Sequence, residues 1–383
     1  AYPYQSVFNL VEGYFLFDGS RYPTGLSTPS LVNPFLTWEK STTKNLGFDF
    51  AFLNNRLTLT ADIFERKVTD ILIPGGKEYP ALIGDDDLPY ENAGILKTTG
   101  FEIQAKWSDQ LENGFRYSVG FALSDDHAKV VSYPSNPTKK IASGSLYDGQ
   151  EVGEIWGYVT GGILQKEDFE LDANGDLVMG ANGMPIYHGT YFKGSQAYPG
   201  YVWYQDLNHD GVINTGQSTV DDPGDMKVIG NNTPRYRYNL TANFQYKGFD
   251  LDLMFQGVGK RDYWISSSSS YWGNGAGSWE TYNQSWTPER TDAKFPMYGY
   301  GLGSYAQTGY LLNAAYFKLK QAVLGYTFPK KWIEKVGLEK LRVNISGYNL
   351  FTISKVPKYY DSEYISDAYP PKRTISVGVQ VGF

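Results

Sequence analysis

The sequence contains no cysteine. That excludes a disulfide framework, a thiolate zinc site and a cysteine nucleophile. Histidine is almost as scarce. His127, His188 and His209 are too few for a His-rich catalytic metal centre, and no Ser-His-Asp pattern stands out around them. Asp and Glu are plentiful, but no carboxylate pair has a setting that suggests catalysis, so an enzyme is not expected. No run of about 18 apolar residues occurs, so no transmembrane helix is expected. A basic surplus is missing too. Lys+Arg is 34 against Asp+Glu 41, a net charge of −7, which argues against a nucleic-acid partner. The N-terminus lacks a basic start followed by an apolar stretch, so a signal peptide is absent or already removed. A first residue Ala rather than Met fits a processed or partial chain.

Aromatic residues and glycine are abundant, at 16% and 42 residues. Rings and β-branched side chains suit pleated surfaces, and glycine suits turns and bulges. An all-β chain follows, either a secreted β-rich protein or a membrane β-barrel whose apolar residues are spread by alternation.

Period-2 alternation decides where the strands lie. In Arg373–Phe383, Ile375, Val377, Val379, Val381 and Phe383 share one face, and Thr374, Ser376, Gly378, Gln380 and Gly382 share the other. Its length is close to the ~9–11 residues that cross a bilayer at a tilt. In 235–247, Tyr236, Tyr238, Leu240, Ala242, Phe244 and Tyr246 oppose a wholly polar set that includes Arg235 and Arg237. The same test marks 45–53, 56–67, 98–107, 115–124, 249–258 and 339–351. In 316–328 the phase changes, and a bulge near Gln321 would repair it. A weaker strand is expected over roughly 7–17.

The links between these ten strands sort into two kinds. Those at Leu53–Arg56, Ser108–Gly114, Lys247–Gly248 and Pro329–Leu338 are short, the last with a helical segment expected around Trp332–Val336. The links 18–44, 68–97, 125–234, 259–315 and 352–372 are long. Short and long alternate strictly. A soluble sandwich has no reason to sort its loops so, whereas an outer-membrane barrel turns tightly on its periplasmic side and carries long loops outside. The expected fold is therefore an all-β, antiparallel transmembrane β-barrel wall with long extracellular loops, and Phe383 falls at the periplasmic end.

Several segments carry a family resemblance. NPFLTWEKSTTKNLGFDFAFL over Asn33–Leu53, GEIWGYVTGGILQ over Gly153–Gln165 and YQDLNHDGVI over Tyr204–Ile213 are three of them. GFDLDLMFQG over Gly248–Gly257, WTPE over Trp286–Glu289, YFKLKQAVLGYTFP over Tyr316–Pro329 and SGYNLF over Ser346–Phe351 follow in order, with YPPKR and a strand ending in Phe383 at the close. Together they resemble the SusC/RagA-type TonB-dependent outer-membrane transporters of Bacteroidetes-like bacteria. The resemblance implies that residues 1–383 are the C-terminal part of a longer protein. Its barrel would have about 22 strands, of which the chain holds about ten. The N-terminal plug domain and TonB-contacting segment would lie outside this chain. A ten-stranded arc has two open edges, which lipid does not tolerate, so the missing strands are expected to complete the wall. The implied protein is a nutrient importer of the outer membrane, for oligosaccharides in the first reading and for peptides in the second. Its implied partners are a SusD-like surface lipoprotein, the TonB–ExbB–ExbD system, outer-membrane lipids and the cargo. A non-transporting outer-membrane barrel and a secreted β-rich binding or adhesion protein remain as rivals.

Candidate sites sit mostly in the 125–234 insertion. Asp206, Asn208 and Asp210, followed by Gly211, have a spacing that lets alternate oxygen side chains converge on Ca²⁺ or Mg²⁺. The Val212 carbonyl would add a ligand. Gln217 stands where a final Glu is usual, so Asp221, Asp222 or Asp225 would supply the missing carboxylate, which defines a candidate metal loop over 206–225. Without a cation the same segment is an acidic turn. Asp172–Asp176 (DANGD) reads as a hairpin turn. Trp156, Trp264, Trp272 and Trp279 are candidate ligand-stacking rings, against the plainer reading of loop packing and interface girdles. The 266–277 Ser/Gly-rich stretch reads as a loop tip. Arg235 and Arg237 are expected to face the lumen.

Overall fold

The computed structural model describes residues 5, 10–17, 20–26, 31–75, 89–142, 144–192, 195–265, 279–299, 305–365 and 371–383. In chain order the strands are β1 (Leu10–Phe17), β2 (Ser20–Leu26), β3 (Lys40–Phe52), β4 (Leu57–Pro74), β5 (Tyr90–Gln110) and β6 (Arg116–Ser132). Four short strands follow: β7 (Glu154–Tyr158), β8 (Thr160–Ile163), β9 (Val202–Tyr204) and β10 (Met226–Asn231). Then come β11 (Arg235–Tyr246), β12 (Phe249–Lys260), β13 (Asp262–Tyr263), β14 (Leu312–Asn313), β15 (Tyr316–Thr327), β16 (Lys340–Ser354) and β17 (Thr374–Gly382).

Nine of these strands form one antiparallel sheet in the order β17-β16-β15-β12-β11-β6-β5-β4-β3. Each lies beside its predecessor, so the sheet is a meander with β3 and β17 at its edges. The strand expected over 7–17 does not join it. Instead β1 pairs with β2 as a separate ribbon, because a partner two residues away closes a far smaller loop than β3 would. Residues 7–9 lie outside the described ones. Among the described residues the wall therefore has nine strands rather than ten.

Directly paired residues share a face. One row runs Phe50, Leu59, Ala105, Phe121, Leu240, Phe255, Leu319 and Phe351 across eight strands. A neighbouring row runs Phe52, Leu57, Trp107, Val119, Ala242, Leu253, Ala322, Gly347 and Ile375. On the opposite face lie Asp49, Thr60, Gln104, Ala122, Asn239, Gln256, Lys318 and Thr352. The expected phase break is real. Lys320 is skipped by both β12 and β16, so it is the bulged residue that restores alternation on either side.

The apolar face is uncovered. Val377 is 73% exposed, Phe48 51% and Ile345 47%. Tyr236 is exposed, while Leu240 and Phe244 are half-buried by neighbours along the sheet and lie in no protein core. Soluble monomers rarely expose apolar patches above a few hundred Å², and a patch crossing nine strands matches the outward band of a barrel in lipid.

The two rims differ as expected. Lys247 and Gly248 both have positive φ (45° and 90°), the geometry of a two-residue type I′ hairpin. The link after β15 holds a helical turn at Lys330–Ile333 and a 3-10 turn at Glu334–Val336. Rings gather at this short-turn rim: Phe249 on Tyr326 at 4.5 Å, Tyr326 on Phe328 at 4.9 Å, and Phe115 on Phe244 and Tyr246. That is the aromatic girdle of an interface. At the other rim β4, β5 and β6 run well past the expected 67, 98 and 124. These extensions mix polar residues with apolar runs such as 71–73 and 130–131, with Ile73 and Val130 buried, so they carry no strict alternation to detect.

Candidate functional site: a polar wall beneath a crown of loops

The long links do not hang free. Residues from three of them share one hydrophobic core: Tyr158, Val202, Tyr204 and Ile213 from the first, Ile265, Phe295, Tyr310 and Leu312 from the second, and Val356, Tyr360 and Ile365 from the third. Trp264 packs against it. A second, smaller core joins Leu164, Phe169 and Ala197. The recognisable motifs are what hold the crown together. A Cβ on Gly157 would lie 2.3 Å from the Ala306 carbonyl oxygen, and one on Gly161 would lie 2.4 Å from the Trp203 ring. Glycine is thus needed where the first link meets the second, at Gly157, and where the first folds back on itself, at Gly161. Gln307 is fully buried and donates to the Tyr204 hydroxyl at 3.0 Å. Tyr158 N–H donates to the Ala306 carbonyl at 2.9 Å. Among the described residues the buried Tyr158 hydroxyl has no hydrogen-bond partner, and burial, then Tyr305 and Asp225, pushes it up to about 12.

The crown is fastened to the polar face by charge. Lys318 of β15 is 2% exposed. Its ammonium donates to both oxygens of Asp361 at 2.8 and 2.7 Å and to Glu363 at 3.0 Å. Lys320 also reaches Glu363, at 2.9 Å, and Gln256 donates to the same carboxylate at 3.2 Å. Burial works to raise both acids, but Lys318 and the backbone amides of Glu363 and Tyr364 outweigh it at Asp361, and Lys320 and Lys318 do so at Glu363, so both carboxyls end below their ordinary values. The 355–365 segment is thereby strapped over the polar wall. Below it a cavity of about 550 Å³ opens on that wall, with Asp62, Glu102, Gln104, Arg237, Asn239 and Gln256 among its lining.

Arg237 sits in register with Ser124 on this polar face and pairs with Asp126. Arg235 differs. Tyr236 has φ +53°, and the register with β12 is the same on either side of it, Arg235 opposite Lys260 and Arg237 opposite Val258. Arg235 grips Asp125 with two bonds of 2.6 Å, and Asp125 pairs with Phe101, whose row includes Ile63 and Leu46. Arg235 is thus tied to an acid whose own row lies on the apolar face, while Arg237 lies in the polar row.

Asp206, Asn208 and Asp210 are brought together on one turn. Asp206 accepts from the amides of His209 (2.6 Å) and Gly211 (2.8 Å), Asn208 from Asp210 (3.1 Å), and Asp210 from Val212 (2.9 Å). The Val212 amide and the Asn208 side chain hold the Asp210 carboxyl below its usual range. Each carboxylate oxygen has a second lone pair, so these bonds leave room for a cation. Among the described residues, however, no three His, Asp or Glu side chains form a metal-binding group. Asp222 is taken up by the Gln217 amide instead. Asp225, fully buried, closes the turn by accepting from Leu207 and Asn214, each at 2.8 Å. Asp172 accepts from the amides of Asn174 and Asp176, so DANGD is a hairpin turn.

The tryptophans divide. Trp156 donates to the Tyr147 hydroxyl at 3.1 Å inside the β7–β10 ribbon, and Trp264 belongs to the crown core. Trp279 is 77% exposed and meets the Tyr282 ring edge-on at 5.5 Å. Trp272 and the 266–277 stretch lie outside the described residues. The Lys318–Asp361–Glu363 strap escaped sequence reading because its halves are 43 residues apart. Two lysines on a strand facing DSE in the last long link were the available signal.

Residues 4–350 match the family model described as TonB dependent receptor-like, beta-barrel. The chain belongs to that family. Among curated relatives, TonB-dependent receptor P3 of Formosa agariphila is 25% identical, over all of this chain and 38% of its own length. TonB-dependent receptor SusC of Bacteroides thetaiotaomicron is 26% identical, over 95% of this chain and 34% of its own. A chain of the RagAB peptide transporter superposes with a TM-score of 0.72 at 19% identity, over all of this chain and 38% of that one. The chain thus spans under two-fifths of the length of these relatives, and the SusC/RagA resemblance read from its motifs holds.

Proposed function

We propose that this chain forms part of the wall and the extracellular crown of an outer-membrane, TonB-dependent importer of a bulky nutrient in a Gram-negative, Bacteroidetes-like bacterium. One observation carries the reading: a meander whose outward face is greasy and uncovered while its inward face is polar and roofed by packed loops. Strands outside this chain close the two edges, and a plug fills the lumen. A SusD-like lipoprotein docks on the crown, and TonB–ExbB–ExbD supplies the energy. No covalent step is involved. Cargo held between lid and wall is released when the plug is pulled, so transport rests on differential binding of two states.

An oligosaccharide is the first cargo reading, with the exposed Trp279 and Tyr282 rings available to stack on sugar faces. A peptide is the second, and the mixed charges of Asp62, Glu102 and Arg237 on the wall favour it. Deleting the gene is expected to abolish growth on one purified glycan or peptide source, and deleting tonB to do the same. Mass spectrometry of cargo retained by the lipoprotein complex identifies the class. Unchanged growth on every polymer, with neither glycan nor peptide retained, contradicts the reading. The Asp206–Val212 turn is proposed to take Ca²⁺, or Mg²⁺ in its place, as a stiffener of the crown, with Asp206, Asn208, Asp210 and the Val212 carbonyl as donors.

A further inference from the structure

The outward face changes character abruptly above the apolar band. The row Leu46, Ile63, Phe101 is followed by Lys44, Glu65, Thr99, His127, and that by Thr42, Lys67, Lys97, Lys129. The last row places three lysines directly side by side on β4, β5 and β6. Lys44, Lys67 and Lys129 are exposed. Two acids share these rows: Glu65, 2.7 Å from Lys97, and Glu151, which continues the lysine row by pairing with Lys129 and lies 3.4 Å from Arg235. Among the described residues, none of Lys44, Lys67 and Lys129 has a carboxylate within ion-pair distance.

Like charges directly opposite one another destabilise a ladder. Glu65 and Glu151 offset these charges only in part, two acids against Lys44, Lys67, Lys97 and Lys129. The position of the row suggests what balances the rest. Four residues separate it from the last apolar row, roughly 13 Å of strand and less in height because barrel strands tilt. That places the ammonium groups in the headgroup layer on the long-loop side. Adjacent strands are about 4.8 Å apart, so the three charges fit a span of about 10 Å, the scale of one multiply phosphorylated headgroup.

We propose that Lys67, Lys97 and Lys129, flanked by Lys44, form a binding site on the outer wall for the phosphorylated headgroup of an outer-leaflet lipid, whose acyl chains lie on Leu46, Ile63 and Phe101. The proposal rests on the membrane reading above. The lipid is part of the protein's seat in the membrane and is not cargo, since it occupies the face opposite the lumen.

The test uses the full-length protein in phosphatidylcholine nanodiscs doped with bis-phosphorylated lipid A or with its dephosphorylated form, and native mass spectrometry counts retained lipid. The wild type retains the bis-phosphorylated form preferentially, and excess inorganic phosphate does not displace it. K67Q/K97Q/K129Q loses that retention on the order of tenfold to a hundredfold. K67R/K97R/K129R keeps it, and so does K330Q/K331Q/K335Q at the opposite rim. Equal retention by wild type and the Gln triple, equal retention of dephosphorylated lipid, or full displacement by inorganic phosphate overturns the proposal. Fractionation of each variant with outer membranes, and a folded band on unheated gels, separates failure of this site from failure of the membrane reading.

Discussion

Lys318 shows how much one side chain decides here. A buried ammonium is tolerable only with partners in place, and Asp361 and Glu363 provide them. Removing one member of such a buried set costs about 3–5 kcal/mol, mostly because the others are left unpaired. Lys318→Ala should therefore free the 355–365 segment while leaving the sheet intact. The acids make the same prediction through pH. Their carboxyls are held below 3.8 and 4.5 in the folded state, so their contribution is fully present above those ordinary values. It is lost as pH falls through the lowered values. A spin label at exposed Lys358 is expected to stay immobile at neutral pH and loosen only under strongly acid conditions, whereas in Lys318→Ala it is mobile throughout. A label equally immobile in both proteins contradicts the strap. The charges themselves were visible in the sequence, but nothing local tells Lys318 that its partners come from a link beyond the next strand.

Among elements, the strands were the most legible. Alternation is imposed by having lipid on one side and water on the other, so it marks the sheet only where both solvents are present. It located β11 and β17 nearly to the residue, found the Lys320 bulge to within one position, and lost the upper thirds of β4, β5 and β6, where residues such as Ile73 and Val130 are buried and apolar residues run consecutively. The positive φ of Tyr236 and the grip of Arg235 on Asp125 were invisible because the sequence around them alternates without a break. The crown was not legible as a packed body. Its motifs were recognisable, but why Gly157 and Gly161 must be glycine appears only when Ala306 and Trp203 are seen against them. At the same scale belongs the Asp206–Val212 turn. If it takes Ca²⁺, adding the ion to chelator-treated protein should raise the unfolding midpoint of the crown by a few degrees, and Asp210→Asn should remove most of that gain. An identical midpoint with and without Ca²⁺ would show the turn to be held by its own amides.

At the scale of the molecule, the chain is a set of staves with two unpaired edges, and such edges persist in lipid only when further strands pair with them. The greasy face, the girdle of rings at the tight rim and the roofed polar face express one physical arrangement, in which the sheet separates hydrocarbon from water. The sequence carried that arrangement because every second residue of each staff answers to one solvent. It did not carry the cargo, since specificity lies in the lumen and crown, where contacts join distant links. The most direct measurement is a nitroxide scan of 239–244 on β11 in the full-length protein, freed of other cysteines and set in a bilayer. Oxygen, which concentrates in hydrocarbon, should relax labels at Leu240, Ala242 and Phe244, and a water-soluble nickel chelate should relax those at Asn239, Thr241 and Asn243. Uniform accessibility along the strand, or the opposite phase, would contradict the account.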